Sequence, residues 1–184
     1  MDSKDLLNEL IGNIFIPDKD LPTKLPDTPG AYLICAKGID ILPPKMQELE
    51  YSYVRDLPVI YVGIAGRPTS KVKSLRKRDY KNHFNGKART STLRKSLGVL
   101  FGFEKEYIGL VNNLKYKFIS AHEEKLSTWM KDNLVMHFVT IDNPIEFELY
   151  LIKTYEPPLN LKDNNSEKNR EFRKELSHLR TFHV

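Results

Sequence analysis

The sequence predicts a single mixed α/β (α+β) domain, and three observations carry that reading. Three short apolar runs, at 31–36, 58–63 and 134–141, have the length and the branched and aromatic content of buried strands. Segments with helical spacing lie around and between them. The 184 residues contain no internal repeat or low-complexity tract, which suits one core.

The elements follow in order. Residues 3–15 place Leu6, Leu7, Leu10, Ile11 and Ile14 at helical spacing after Ser3, a candidate cap. Pro17, Pro22, Pro26 and Pro29 make the next stretch an extended connector, so 1–28 reads as a helix and connector preceding the core. Pro29-Gly30 feeds the first strand. A polar insertion, 37–57, holds Pro43-Pro44 and room for one more strand at 49–54, and the second strand is Pro58-Val59-Ile60-Tyr61-Val62-Gly63. Two basic helical segments, 74–84 and 91–100, are separated by the stop signal Asn85-Gly86 and by Ser91 or Thr92 as caps. Residues 103–120 carry no clear period. A helix over 120–131 precedes the third strand, then Asp142 or Asn143 caps a helix with Pro144 at its first position. Glu156-Pro157-Pro158 stops that helix, and a charged terminal helix spans 166–180 within a separate tail, 162–184.

Composition narrows the function classes. With 40% hydrophobic and 29% charged residues the chain is globular, and its net charge of +5 makes a polyanion, chiefly nucleic acid, the expected partner. Position sharpens this: 71–95 is dense in Lys and Arg, contains one acid, Asp79, and interleaves Leu75, Tyr80, Phe84 and Leu93. The single cysteine, Cys35, excludes an intrachain disulfide and a cysteine-based metal site, and reads as a small buried hydrophobe. No stretch approaches the ~20 apolar residues of a membrane span. The first residues carry acids and lack a cleavage site, so a cytoplasmic protein without membrane partners is expected.

Five pieces then stand in a recognisable order: Gly30-Ala31-Tyr32; Tyr61-Val62-Gly63; an Arg–His basic helix; Glu148-x-x-Leu-Ile; and Pro157-Pro158-Leu159-Asn160, with Glu and Asn twelve residues apart. Together they resemble the GIY-YIG nuclease family over 29–161. The resemblance implies a small three-stranded antiparallel sheet flanked by helices. It also implies Mg²⁺-dependent endonuclease cleavage of DNA, with Mn²⁺ as a substitute, by a monomer or a homodimer and in a restriction-type setting if the chain reads sequence. A non-cleaving nucleic-acid-binding domain that keeps the basic groove is the alternative.

The residue types suit that chemistry. Hydrolysis of a phosphodiester needs an activated nucleophile and stabilisation of developing charge. By resemblance Tyr32 is the general base and Tyr61 orients water or phosphate, roles that remain exchangeable. A phenol near its ordinary pKa of ~10 serves as a base only if neighbouring cations lower it, and 71–95 is the expected source of that field. Glu148 matches the metal position, since one carboxylate with waters and phosphate oxygens is a usual Mg²⁺ environment. His83 orients water or binds phosphate, and Asn160 contacts phosphate or braces the site.

The arginine departs from the family pattern. Three residues usually separate Arg from His or Tyr. Here Arg78 stands five before His83, about 140° away on an α-helix, whereas Arg76 shares a face with Tyr80 and His83. The motif favours Arg78, with a local kink or a helix starting near Asp79, and helix geometry favours Arg76. Arg76, Lys73, Arg94 and Lys95 are expected on substrate phosphates, with Lys71 or Lys73 assisting the base. The insertion 37–57 either reads substrate or decorates the fold.

Overall fold

The computed structural model describes residues 2–68, 73–109 and 115–181. The element order is α1 (Ser3–Gly12), β1 (Ile14–Phe15), β2 (Gly30–Ala36), α2 (Pro44–Gln47), β3 (Tyr53–Val54), β4 (Leu57–Ala65), a π-helix (Arg76–Phe84) and α3 (Thr92–Leu100). It continues with β5 (Lys105–Ile108), β6 (Lys115–Phe118), α4 (Ser120–Asn133), β7 (Leu134–Thr140), α5 (Ile145–Tyr155) and α6 (Arg170–Thr181).

The main sheet is antiparallel, in the order β1-β7-β2-β4-β3, so it has five strands where three were expected. The expected three, β2, β4 and β7, are its centre. Of the two added edges, β3 falls in 49–54, where a further strand had room, and β1, two residues long, is too short to leave a period-2 signature. Strand β1 also shortens the first helix, which ends at Gly12 rather than running to Phe15. Asp2 rather than Ser3 caps it, accepting from the Lys4 and Asp5 amides at 2.5 and 3.1 Å. The stretch without a clear period forms a separate hairpin, β5–β6. Pro144 itself is the cap of α5, and α6 begins four residues later than its charge pattern suggested.

Strand β2 is buried on both faces, which is why it reads as an unbroken apolar run. Tyr32, Ile34 and Ala36 join the larger core with residues of α3, α4, β6 and α6. Ala31, Leu33 and Cys35 alternate to the other face, against α1 and α5. The insertion packs Leu42 and Met46 into the larger core and is stitched to the start of α6. Asn169 exchanges two hydrogen bonds with the Glu50 backbone, and Lys45 pairs with Glu175. It braces the helix that follows the expected core.

Register positions the site. Tyr32 stands opposite Gly63, Ile34 opposite Tyr61, and a bulge follows Ile34. The Tyr32 ring lies across Gly63, where a Cβ would collide with the Tyr32 hydroxyl. Glycine there is a packing requirement.

Candidate active site

Tyr32 is wholly buried at the centre of the sheet. Arg78 Nε donates to its hydroxyl at 3.3 Å, and His83 Nε2 lies 2.6 Å from the same oxygen. The Tyr61 ring stands 6.4 Å from the Tyr32 ring and 6.0 Å from His83, and the Tyr61 hydroxyl is 2.9 Å from Thr92 Oγ1. His83 Nδ1 is 2.6 Å from Ser91 Oγ, which caps α3 by accepting from the Arg94 amide at 3.1 Å. One imidazole therefore ties the first tyrosine to the start of the second basic helix.

The π-helix accounts for the five-residue spacing. Its wider turn, marked by the Asn85 amide bonding the Tyr80 carbonyl at 3.1 Å, brings positions five apart onto one face. Arg78 and His83 thus meet at Tyr32 without a kink. Arg76 turns the other way and donates to the Leu25 carbonyl at 2.9 Å, holding the proline-rich connector.

Burial governs the protonation of this cluster. It pushes the Tyr32 phenol well above the ordinary 10.0, with the Asp79 charge adding to the rise, and Arg78 only partly offsets it. The lowering expected from the basic stretch is not what the resting site shows. His83 is held well below 6.5, first by burial and then by the charges of Arg78 and Arg94. Asp79 is also fully buried, 3.7 Å from His83 Nε2, and neither carboxylate oxygen has a hydrogen-bond partner of good geometry among the described residues. Burial raises it well above 3.8, against the pull of Arg78 and the nearby Tyr32 hydroxyl.

Beside this cluster a cleft of about 430 Å³ is lined by Tyr61, Gly63, Arg78, Lys95, Glu148 and Asn160. Tyr32 and His83 are buried behind its lining: the Tyr32 hydroxyl lies close against Gly63 and bonds Arg78, and the His83 ring stands against Tyr61. Glu148 comes from α5 and pairs with Arg67, just past the end of the strand that carries Tyr61. Burial raises its pKa, and the Arg67 guanidinium opposes that rise. Asn160 locks the loop after α5 onto the second motif: its Oδ1 accepts from the Val62 amide at 2.8 Å, and its Nδ2 donates to the Val62 carbonyl at 2.9 Å.

The remaining residues singled out in the sequence divide. Lys95 is half-buried in the cleft. Arg94 is fully buried and committed to Glu123, at 2.7 and 3.2 Å, so its guanidinium points into the interior and not toward a ligand. Lys73 bonds the Arg67 and Pro68 carbonyls at 3.1 and 2.9 Å, closing the ends of its own loop. Lys71 lies outside the described residues.

The family model of the GIY-YIG catalytic domain matches residues 30–182. The chain belongs to the GIY-YIG nuclease family. Neither a search of curated proteins nor one of solved structures returned a significant match. This GIY-YIG domain takes in α6, beyond the last motif residue legible by resemblance, and α6 supplies Ser177, Arg180 and Thr181 to the cleft wall. Nucleases of the family generally depend on a divalent metal.

Among the described residues no three His, Cys, Asp or Glu gather as an all-protein cage. The donor set is instead one cleft carboxylate, Glu148, with Asp163 lining the same cleft and acting on it by charge. That sparse oxygen set fits an ion such as Mg²⁺, which keeps waters and takes substrate phosphate oxygens.

Sequence reasoning passed over Arg67, Asp79 and Arg180. A signal existed for the last: Phe172, Leu176 and Arg180 fall four apart, so Arg180 continues the buried stripe of α6. Asp79 was visible only as the one acid in a basic run.

Proposed function

We propose that this GIY-YIG domain is an endonuclease that hydrolyses DNA phosphodiesters with Mg²⁺, or Mn²⁺ in its place, held by Glu148. The observation that carries the reading is the convergence of Tyr61, Arg78, Glu148 and Asn160 on one cleft, with the buried Tyr32–His83 pair joined to it through Arg78. The π-helical turn supports cutting over a non-cleaving groove, because Arg78 and His83 share Tyr32 despite their spacing.

The roles follow from placement. The Tyr32 hydroxyl donates a hydrogen bond to Nε2 of His83, which burial keeps neutral, while the His83 Nδ1–H donates to Ser91. Arg78 donates to the Tyr32 oxygen, and once the substrate lets water reach that oxygen, Tyr32 takes the water's proton as its own passes to His83, so no free phenolate is formed. Tyr61, steadied by Thr92, orients that water or the phosphate from the cleft wall. Asn160 braces the strand between the two, and Arg78 reaches the cleft with charge for the pentavalent phosphorus. A divalent ion held by Glu148 would supply Lewis-acid stabilisation of the charge that develops on the phosphate.

Supercoiled plasmid incubated with the protein and Mg²⁺ is expected to nick, to stay intact in EDTA, and to stay intact with Glu148→Ala. Plasmid untouched by wild type under Mg²⁺ and Mn²⁺ overturns the enzymatic reading, and cutting by Glu148→Ala overturns the metal assignment. Cuts confined to one sequence support a restriction-type enzyme.

A further inference from the structure

The cleft holds five cationic side chains, Arg67, Arg78, Lys95, Lys162 and Arg180, and two acids, Glu148 and Asp163. Arg67 pairs with Glu148, Lys162 lies 3.7 Å from Asp163, and Arg78 is engaged with the Tyr32 hydroxyl. Lys95 and Arg180 are left over: neither has an ion pair among the described residues. They come from two helices that pack on each other, α3 and α6, whereas Glu148 belongs to α5 and Asp163 to the loop after it.

Holding them there has a cost. Both are partly buried, and burial lowers both pKa values, with the Arg180 and Lys115 charges lowering that of Lys95 further. The Lys95 ammonium stands 5.3 Å from the centre of the Tyr116 ring, which steadies the cation without neutralising it. The Tyr116 hydroxyl, buried and near Arg180, has no hydrogen-bond partner among the described residues. Two desolvated, mutually repelling cations with no acid between them form a place prepared for an anion.

We propose that Lys95 and Arg180 form a second phosphate subsite, which holds a backbone phosphate flanking the one cut at Glu148. The proposal rests on the nuclease reading of the cleft. It gives the bound strand a direction: from Glu148, past Tyr61 and Arg78, to the α3–α6 side. Arg180 offers the planar fork suited to two phosphate oxygens, and Lys95 adds a point charge. The subsite positions the strand and takes no part in bond breaking.

The test is binding measured apart from cutting, by fluorescence anisotropy of a labelled DNA duplex in EDTA across a salt series. Arg180→Gln and Lys95→Gln are each expected to weaken binding about tenfold and to flatten the salt dependence by roughly one counterion for each phosphate no longer neutralised. Arg180→Lys restores part of both, and unchanged melting temperatures show that the variants weaken binding without unfolding. Duplexes carrying one neutral methylphosphonate, walked along the backbone, locate the phosphate: one position weakens wild type but leaves Arg180→Gln no weaker. A wild-type salt slope in Arg180→Gln, or methylphosphonate penalties equal in wild type and variant at every position, overturns the subsite. Tight wild-type binding without plasmid nicking overturns the nuclease reading while leaving the subsite standing. A wild type that binds no duplex overturns both.

Discussion

Arg67 and Glu148 meet in the cleft as an ion pair, with the Glu148 side chain mostly buried and Arg67 about a third exposed. The guanidinium engages one oxygen of the carboxylate that a divalent ion needs, so the two cations compete for it. A partly exposed pair of this kind is worth about 1 kcal/mol, which corresponds to roughly fivefold in affinity. Arg67→Ala is therefore expected to bind Mg²⁺ or Mn²⁺ about fivefold more tightly by titration calorimetry, with no DNA present. Weaker metal binding in that variant would show that Arg67 supports the metal position and does not compete for it. Gly63 shows the opposite kind of single-residue control, exercised by the absence of a side chain. Its missing Cβ is the space in which the Tyr32 hydroxyl reaches Arg78 and His83.

The π-helix is the element on which the site turns, and it marks the limit of what the sequence disclosed. Arg78 to His83 reads as one residue too many only if the segment is α-helical; the wider turn absorbs the surplus. Lys81 lies between them and is exposed, so its deletion gives a four-residue spacing that an ordinary α-helix places on one face. The deletion variant is expected to fold, to replace the π-turn with an α-turn, and to nick plasmid within about tenfold of wild type. Collapse of activity together with an unchanged melting temperature would mean that the π-turn sets a geometry the α-turn cannot supply. The central strands, the helices around them and the order of the motifs were legible because apolar runs and amphipathic periods are local signals. The edge β1 was not, since two residues cannot establish a period, whereas β3 falls within 49–54, where the sequence left room for a strand. Arg94 was misleading for a related reason. It sits in a basic run, and only the tertiary fold brings Glu123 from α4 to bury it. The insertion 37–57 likewise disclosed nothing of its attachment to α6, which depends on hydrogen bonds between residues more than a hundred positions apart.

At the scale of the whole molecule, the buried cluster behind the cleft lining ties stability to pH in two opposing ways. His83 is held well below its ordinary 6.5, so the unfolded chain takes up a proton that the folded chain refuses. Stability from that residue is present above about pH 6.5 and drains away as the pH falls below it. Asp79 is held well above its ordinary 3.8, so the folded chain keeps a proton that the unfolded chain releases. Its contribution is full below about pH 3.8 and is lost as the pH rises through its folded pKa. The groups facing the pair are Tyr32, Arg78, Ser91 and, more distantly, Arg94, of which the two arginines stay charged throughout. Replacing each residue with a neutral isostere should separate the two limbs. Asp79→Asn is expected to gain stability over wild type as pH rises, with the difference closing toward pH 4. His83→Gln is expected to flatten the decline in stability on acidification from about pH 6.5. Urea unfolding from about pH 4 to pH 8 reads both as shifts in midpoint at constant slope. An Asp79→Asn variant that is less stable than wild type at pH 8 would show that the aspartate is ionised in the folded protein and compensated by Arg78, reversing the sign assigned to it.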